Sequence, residues 1–180
     1  MCNGGAVAES VVLVNGLPGA GKTTLAHALK GVTGWPCLSK DAVKEALGTE
    51  ADGALTPAQL GAVAMDTVWS MAAGITGAVI IDSWWFAPRD LQFARAGVLL
   101  AGGCQVVEVW CEAGSTVARK RYTQRQRPEV HQDAQRLARD WDHWAAHAAP
   151  LDLWPVVRVS TACAVNIPAV ADRIRELLQS

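Results

Sequence analysis

The chain has 180 residues, 51% of them hydrophobic and 18% charged, with a formal net charge of −1. A chain of this length fits one domain that buries roughly 70% of its unfolded surface. Its near-neutral balance argues against a general binder of nucleic acid or of an anionic membrane, and no apolar run reaches the roughly 18 residues of a membrane span. Met1 to Gly5 lack a basic segment followed by an apolar one, so the expected compartment is the cytoplasm. Cys2, Cys37, Cys104, Cys111 and Cys163 form no C-x-x-C pair and are expected as reduced, mostly buried thiols.

Residues 11–14, Val-Val-Leu-Val, predict a short buried strand. Gly16, Leu17, Pro18, Gly19, Ala20, Gly21, Lys22 and Thr23 follow and complete the pattern G-x-x-x-x-G-K-[ST]. Glycines let backbone N–H groups converge on phosphate oxygens, and the start of a helix adds partial positive charge. Lys22 can reach the β- and γ-phosphates and the Thr23 hydroxyl can ligate Mg²⁺. With Thr24, these residues are the candidate nucleotide contacts, and Lys22 is also a candidate for the chemistry. Residues 24–30 are mostly helix formers, and Gly31 is a candidate stop.

Residues 35–38 form a second apolar stretch, followed by Ser39-Lys40-Asp41. At a strand's carboxyl end beside the phosphates, Asp41 can accept the proton of an attacking hydroxyl and so contact the acceptor. Asp is equally a favoured helix N-cap, and residues 41–47 look helical, so both readings stand. Residues 48–55 are the best candidate for a mobile loop. Thr56-Pro57 opens a longer helix to about residue 73. Its Met65 and Trp69 are a reserve candidate for acceptor contact.

Residues 77–82 predict a buried strand ending in Asp82. That carboxylate reads as a Mg²⁺ ligand, direct or through water, or as a turn former. Trp84, Trp85 and Phe86 stand just beyond the strand end, as an acceptor-facing aromatic wall or as packing under the next helix. Alternation along an extended segment prevents all three from facing one pocket. Residues 88–101 predict a helix stopped by Gly102-Gly103, and residues 104–110 a strand. Residues 115–126 predict a basic helix whose neighbourhood holds Arg119, Lys120, Arg121, Arg125 and Arg127. Such a run is ordinarily a solvated face; beside phosphoryl chemistry it can be a lid over about residues 115–130. Residues 131–148 form another helix, whose His143 and His147 lack the third ligand a metal site needs. A strand at 156–159 and a helix at 168–178 close the chain. Strands alternating with helices imply an α/β fold with a parallel sheet of about five strands, flanked by helices, in one domain over 1–180.

With its phosphate loop, Ser39-Lys40-Asp41, a strand ending in Asp82 and a basic lid helix, the chain resembles the small P-loop kinases. These include polynucleotide kinases, zeta toxins and, nearest in size and layout, the antibiotic-modifying chloramphenicol and capuramycin phosphotransferases. The resemblance is specific at residues 16–24 and moderate at Asp41, Asp82 and residues 109–125. It implies the P-loop kinase fold with a helical lid, Asp41 as general base, and Arg119 with Arg125 or Arg127 as lid residues. It further implies ATP, with GTP possible, and Mg²⁺. The implied activity is transfer of the γ-phosphate to a hydroxyl of a small molecule, an antibiotic, giving resistance. Where such proteins often carry Val-Asp-Thr-Thr on the last strand, this chain has Val159-Ser160-Thr161-Ala162. Shikimate and gluconate kinases share the loop, but their acceptor-binding arginine and glycine patterns are not found. Two other readings stand beside this one: a toxin-like kinase of nucleotide sugars or polynucleotide ends, and a nucleotide-binding switch without an acceptor. No membrane or nucleic-acid partner is expected, and the oligomeric state is left open.

Overall fold

A computed structural model describes residues 8–103 and 105–179. Met1 to Gly5 and the thiols of Cys2 and Cys104 lie outside the described residues. In chain order the elements are β1 (Ala8–Asn15), α1 (Lys22–Thr33), β2 (Cys37–Ser39), α2 (Lys40–Ala51), α3 (Pro57–Ala73), β3 (Gly77–Asp82), α4 (Ala87–Leu100), β4 (Gln105–Glu112) and α5 (Ser115–Gln124). A 3-10 turn at Glu129–His131, α6 (Asp133–His147), β5 (Val156–Ser160) and α7 (Ile167–Leu178) complete the chain.

The five strands pair in parallel in the order β2-β3-β1-β4-β5. Side chains alternate across the sheet, so a β-branched run feeds two cores at once. Val12, Val14, Ile80, Val107 and Val109 pack with Leu25 and Leu29 of α1, Ile174 of α7, and Trp141 and Trp144 of α6. Val11, Leu13, Val79 and Ile81 pack on the other face with Val68 and Trp69 of α3 and Ala94 and Val98 of α4. This is the α/β fold expected of a P-loop kinase-like chain. The central strand β1 has neighbours whose connections run in opposite directions, and ligands bind outside the carboxyl ends at such a switch point. Register brings those ends level, with Asp82 opposite both Val14 of β1 and Ser39 of β2.

Three local expectations are corrected. Gly31 lies inside α1, which ends at Gly34, where φ is 75° and the N–H donates to the Lys30 carbonyl. Gly31 needs no special conformation, whereas Gly34 takes the left-handed one that favours glycine. Residues 48–51 continue α2, so the connection to α3 is shorter than expected. Gly48 fits there because Val130 leaves little room: a Cβ would stand 3.2 Å from its Cγ2. Of the described thiols, only Cys111 is buried; Cys37 is half-buried and Cys163 exposed. The α3 start behaves as expected, with Thr56 and Gln59 forming a reciprocal capping box ahead of Pro57. No helix among the described residues is long and apolar enough to cross a membrane.

Candidate functional site

The phosphate loop leaves β1 through a buried polar anchor. The Asn15 side-chain carbonyl accepts from the Gly16 N–H at 2.8 Å and the Trp85 N–H at 3.0 Å, while its amide donates to Glu108 at 2.8 Å. Glu108, fully buried, also accepts from the Leu151 N–H at 2.8 Å. Burial pushes the Glu108 carboxyl above its usual range, against those hydrogen bonds. Gly16, Gly19 and Gly21 all have positive φ, at 143°, 85° and 84°. A Cβ at Gly19 would stand 2.1 Å from the Ala118 carbonyl, so the loop passes directly under α5 with no room for a side chain. Gly21 then caps α1, whose first N–H groups face outward from the sheet edge. Lys22 bends back across the loop, its Nζ donating to the Gly16 and Leu17 carbonyls at 2.9 and 3.1 Å. Burial holds its ammonium below the ordinary range, offset in part by Asp82 and Asp41. Phosphate oxygens can replace those two carbonyls as acceptors.

Beside the loop, the Thr23 hydroxyl donates to Asp82 Oδ2 at 2.7 Å, and the Ser39 hydroxyl reaches the same oxygen at 3.3 Å. Burial raises the Asp82 carboxyl above its usual range despite Lys22 and these two donors. A nearly buried carboxylate beside a hydroxyl is a hard-oxygen donor set. It suits Mg²⁺, which takes few protein ligands and fills the rest of its shell with phosphate and water. Thr23 and Asp82 therefore fit that ion.

The helix cap of α2 is Ser39, and Asp41 lies within the first turn, which overturns the cap reading of Asp41. Its carboxylate instead pairs with Arg127, with Arg125 Nη2 at 4.0 Å and His131 Nδ1 at 3.9 Å. Burial pushes the Asp41 carboxyl up, but Arg127, His131, Lys22 and Lys40 outweigh it and hold the group below its ordinary value. Arg127 is not free for phosphate: it also grips Asp133 through Nε at 2.8 Å and Nη2 at 2.5 Å, and Tyr122 donates to the same carboxylate at 2.8 Å. His131 is buried, bonded to Glu45 through Nε2 at 2.8 Å, and burial and Arg127 depress its pKa. A fixed frame thus surrounds the Asp41 carboxylate.

One cavity of about 320 Å³ joins these groups. Its lining includes Lys22, Thr23, Thr24, Asp41, Asp82, Trp84, Arg125 and Arg127, all predicted site residues. Arg119 is corrected: it lies on the exposed outer side of α5, in a shallow depression with Lys120, Thr123 and Trp141. At about 100° per residue, Arg119 and Arg121 point roughly 200° apart. Arg121 is the residue that faces the loop, donating to the Thr161 carbonyl at 3.0 Å, while the Thr161 hydroxyl donates to the Ala20 carbonyl at 2.7 Å. Thr161, which this chain shares with the usual last-strand pattern, thus clasps the phosphate loop, while the departures from that pattern fall at Ser160 and Ala162.

The aromatic run divides by alternation. Trp84 lines the cavity, with Lys22 Nζ 5.9 Å from its ring centre and Trp110 behind it. Trp85 is 3% exposed and packs on Trp69, with ring centres 6.4 Å apart. Phe86 is buried beside Trp84 and His143. Met65 and Trp69 belong to the core between α3 and the sheet. Trp85, Phe86, Met65 and Trp69 are thus packing residues, not cavity lining. Lys40, Arg89, Arg121 and Arg136 also line the cavity: Lys40 and Arg121 are named in the sequence motifs without a role of their own, and Arg89 and Arg136 are missed there. Arg89 and Arg136 carry no local signal.

The family model described as an AAA domain matches residues 11–151. Several solved structures share the fold. A candidate kinase from Chloroflexus aurantiacus J-10-fl is 24% identical, with a TM-score of 0.74, over 97% of this chain and 98% of its own. Shikimate kinase from Bacteroides thetaiotaomicron is 20% identical, with a TM-score of 0.58, over 95% and 98%. A gluconokinase from Sinorhizobium meliloti 1021 is 18% identical, with a TM-score of 0.54, over 97% and 91%. A comparison with the curated proteins finds no match.

Proposed function

The chain belongs to the AAA domain family, and on that premise we propose that it is an ATP-dependent phosphotransferase acting on a hydroxyl of a small molecule. The observation that carries this reading is that one cavity contains Lys22, the Thr23–Asp82 pair and the Asp41 carboxylate. The acceptor oxygen forms a bond to the γ-phosphorus as the bond to the β,γ-bridging oxygen breaks. The electron pair of that bond leaves with ADP, and the hydroxyl proton passes to Asp41. A carboxylate held below its ordinary pKa is a weak base, which suits a loose transition state whose nucleophile loses its proton late. Arg127 and His131 orient that carboxylate, and Lys22, Arg121 and Arg125 meet the charge on the phosphates. Mg²⁺ at Thr23 and Asp82 would neutralise phosphate charge when bound. The acceptor-free switch reading is weakened because Asp41 is not a helix cap.

Hydroxylated antibiotics, which the resemblance implies, and small hydroxy acids, after the shikimate kinase and gluconokinase that share the fold, make the first acceptor panel. Labelled ATP or GTP is incubated with that panel and Mg²⁺, and products are identified by mass. Label is expected on an acceptor, and Lys22→Ala, folded by circular dichroism, is expected to lower transfer by at least about 10²-fold. ATP hydrolysis with no labelled alcohol, or normal transfer by folded Lys22→Ala, overturns the proposal.

A further inference from the structure

We infer that the acceptor carries, besides its hydroxyl, a carboxylate or phosphate group, held by Lys40 and Arg136 at the β2–β3 side of the cavity. This rests on the phosphotransferase reading and names the class of its substrate.

Seven cationic side chains line the cavity against two carboxylates, Asp41 and Asp82. The sheet order divides the cations. Arg121 sits toward β4 and β5, tied to the Thr161 carbonyl just past β5. Lys40 opens α2 directly after β2, and Arg89 lies in the first turn of α4 after β3, at the other edge of the sheet. Strands lie about 4.8 Å apart, so these two sides are separated by more than a phosphate's width.

At the nucleotide side, Lys22, Arg121 and Arg125 suffice for a triphosphate whose charge Mg²⁺ halves. Arg127 is consumed by Asp41 and Asp133. That leaves Lys40 and Arg136, since Arg89 is engaged as well. Arg89 makes a two-pronged pair with Asp90, with both contacts at 2.6 Å. Among the described residues, neither Lys40 nor Arg136 forms an ion pair within 4.0 Å. Arg136 lies with its guanidinium 4.9 Å from the Trp144 ring centre, which fixes its plane without neutralising it. Lys44 adds to the crowd behind them: burial and Lys40 push its ammonium down to about 8. Asp90 offsets Arg89 and Asp140 acts on Arg136 from farther off, but among the described residues no carboxylate reaches Lys40 or Arg136 within 4.0 Å, so an anion joining these two neighbouring cations gains a direct partner for each. Trp84 supplies an apolar wall beside them, and Asp41, the neighbour of Lys40 in the chain, places the proton acceptor next to the anchored group. An uncharged alcohol would leave Lys40 and Arg136 without such a direct partner.

The test has two arms. In the first, hydroxy carboxylates, sugar phosphates, uncharged nucleosides and uncharged antibiotics compete for labelled ATP. Label is expected on a carboxylate or a phosphate ester, and which of the two takes it tells the anions apart. In the second, malonate and inorganic phosphate are titrated by calorimetry into protein saturated with Mg²⁺ and a non-hydrolysable ATP analogue, which fills the γ-phosphate position. Arg136→Gln and Lys40→Met are each expected to weaken anion binding by about 10-fold or more, with affinity for the analogue unchanged within about 2-fold. Two variants on different helices guard against loss of fold in either. Transfer preferring uncharged alcohols, or anion binding unaltered in both folded variants, overturns the inference while the phosphotransferase reading survives. If no alcohol is labelled yet both variants lose the anion, the anion site stands and the phosphotransferase reading falls.

Discussion

The two ends of the cavity are built by different means. At the nucleotide end, Gly16 through Thr23 are consecutive, and their shape is set by three glycines with positive φ and by the first turn of α1. Backbone N–H groups and one lysine are what that end offers to a phosphate. On the β2–β3 side, Lys40, Arg89 and Arg136 come from three helices and line the cavity with long side chains. A short backbone motif is rigid and complete in itself. A set of side chains from separate helices depends on how those helices pack, so it can be altered without touching the loop. Asp41 stands at the border, framed by Arg127 and His131 from the segment after α5.

That division can be broken at its border first. Asp41→Asn is expected to lower kcat by about 10²–10⁴-fold while leaving the KM for ATP nearly unchanged, as steady-state kinetics would measure. A near-normal kcat would remove Asp41 from the chemistry and leave the two ends unconnected. Next, the neighbours Trp84 and Trp85 separate lining from packing. Trp85→Ala is expected to cost about 3–5 kcal/mol of stability in denaturant unfolding. Trp84→Leu is expected to raise the acceptor KM with a smaller loss of stability. Equal losses of stability with unchanged acceptor KM in the Trp84 variant would place both residues in the core. The smallest effect sharpens the nucleotide end. Arg125→Ala is expected to lower kcat by about 10–10²-fold, whereas Arg119→Ala, on the outer side of α5, is expected to stay within about 2-fold of wild type. Similar losses in both would mean that α5 turns over when nucleotide binds.

How much was legible depended on how far apart the interacting residues lie. The phosphate loop, β3 to Asp82 and the α3 start at Thr56 were all readable, because each is set by neighbours within a few positions. Gly31 and Gly34 show the limit even there: both look like stops, and only φ at Gly34 tells which one ends the helix. Basic character alone did not distinguish Arg119 from Arg121, because charge reads the same on either side of a helix. Likewise, three consecutive aromatics announced a pocket or a core without saying which residue belonged to which.

By itself, the sequence determined the alternation of strands and helices, a sheet buried on both faces, and a phosphate loop at the end of its first strand. Those follow from periodicity, glycine placement and a motif whose members are contiguous. Only the tertiary structure decided that Asp41 lies within a helix turn facing Arg127, that Thr161 clasps Ala20, and that Lys40, Arg89 and Arg136 line one cavity with the phosphate loop. Such contacts join residues tens of positions apart. They exist because burying both faces of the sheet places α2, α4, α5 and α6 around the carboxyl ends of its strands, and no local preference of the chain encodes that placement.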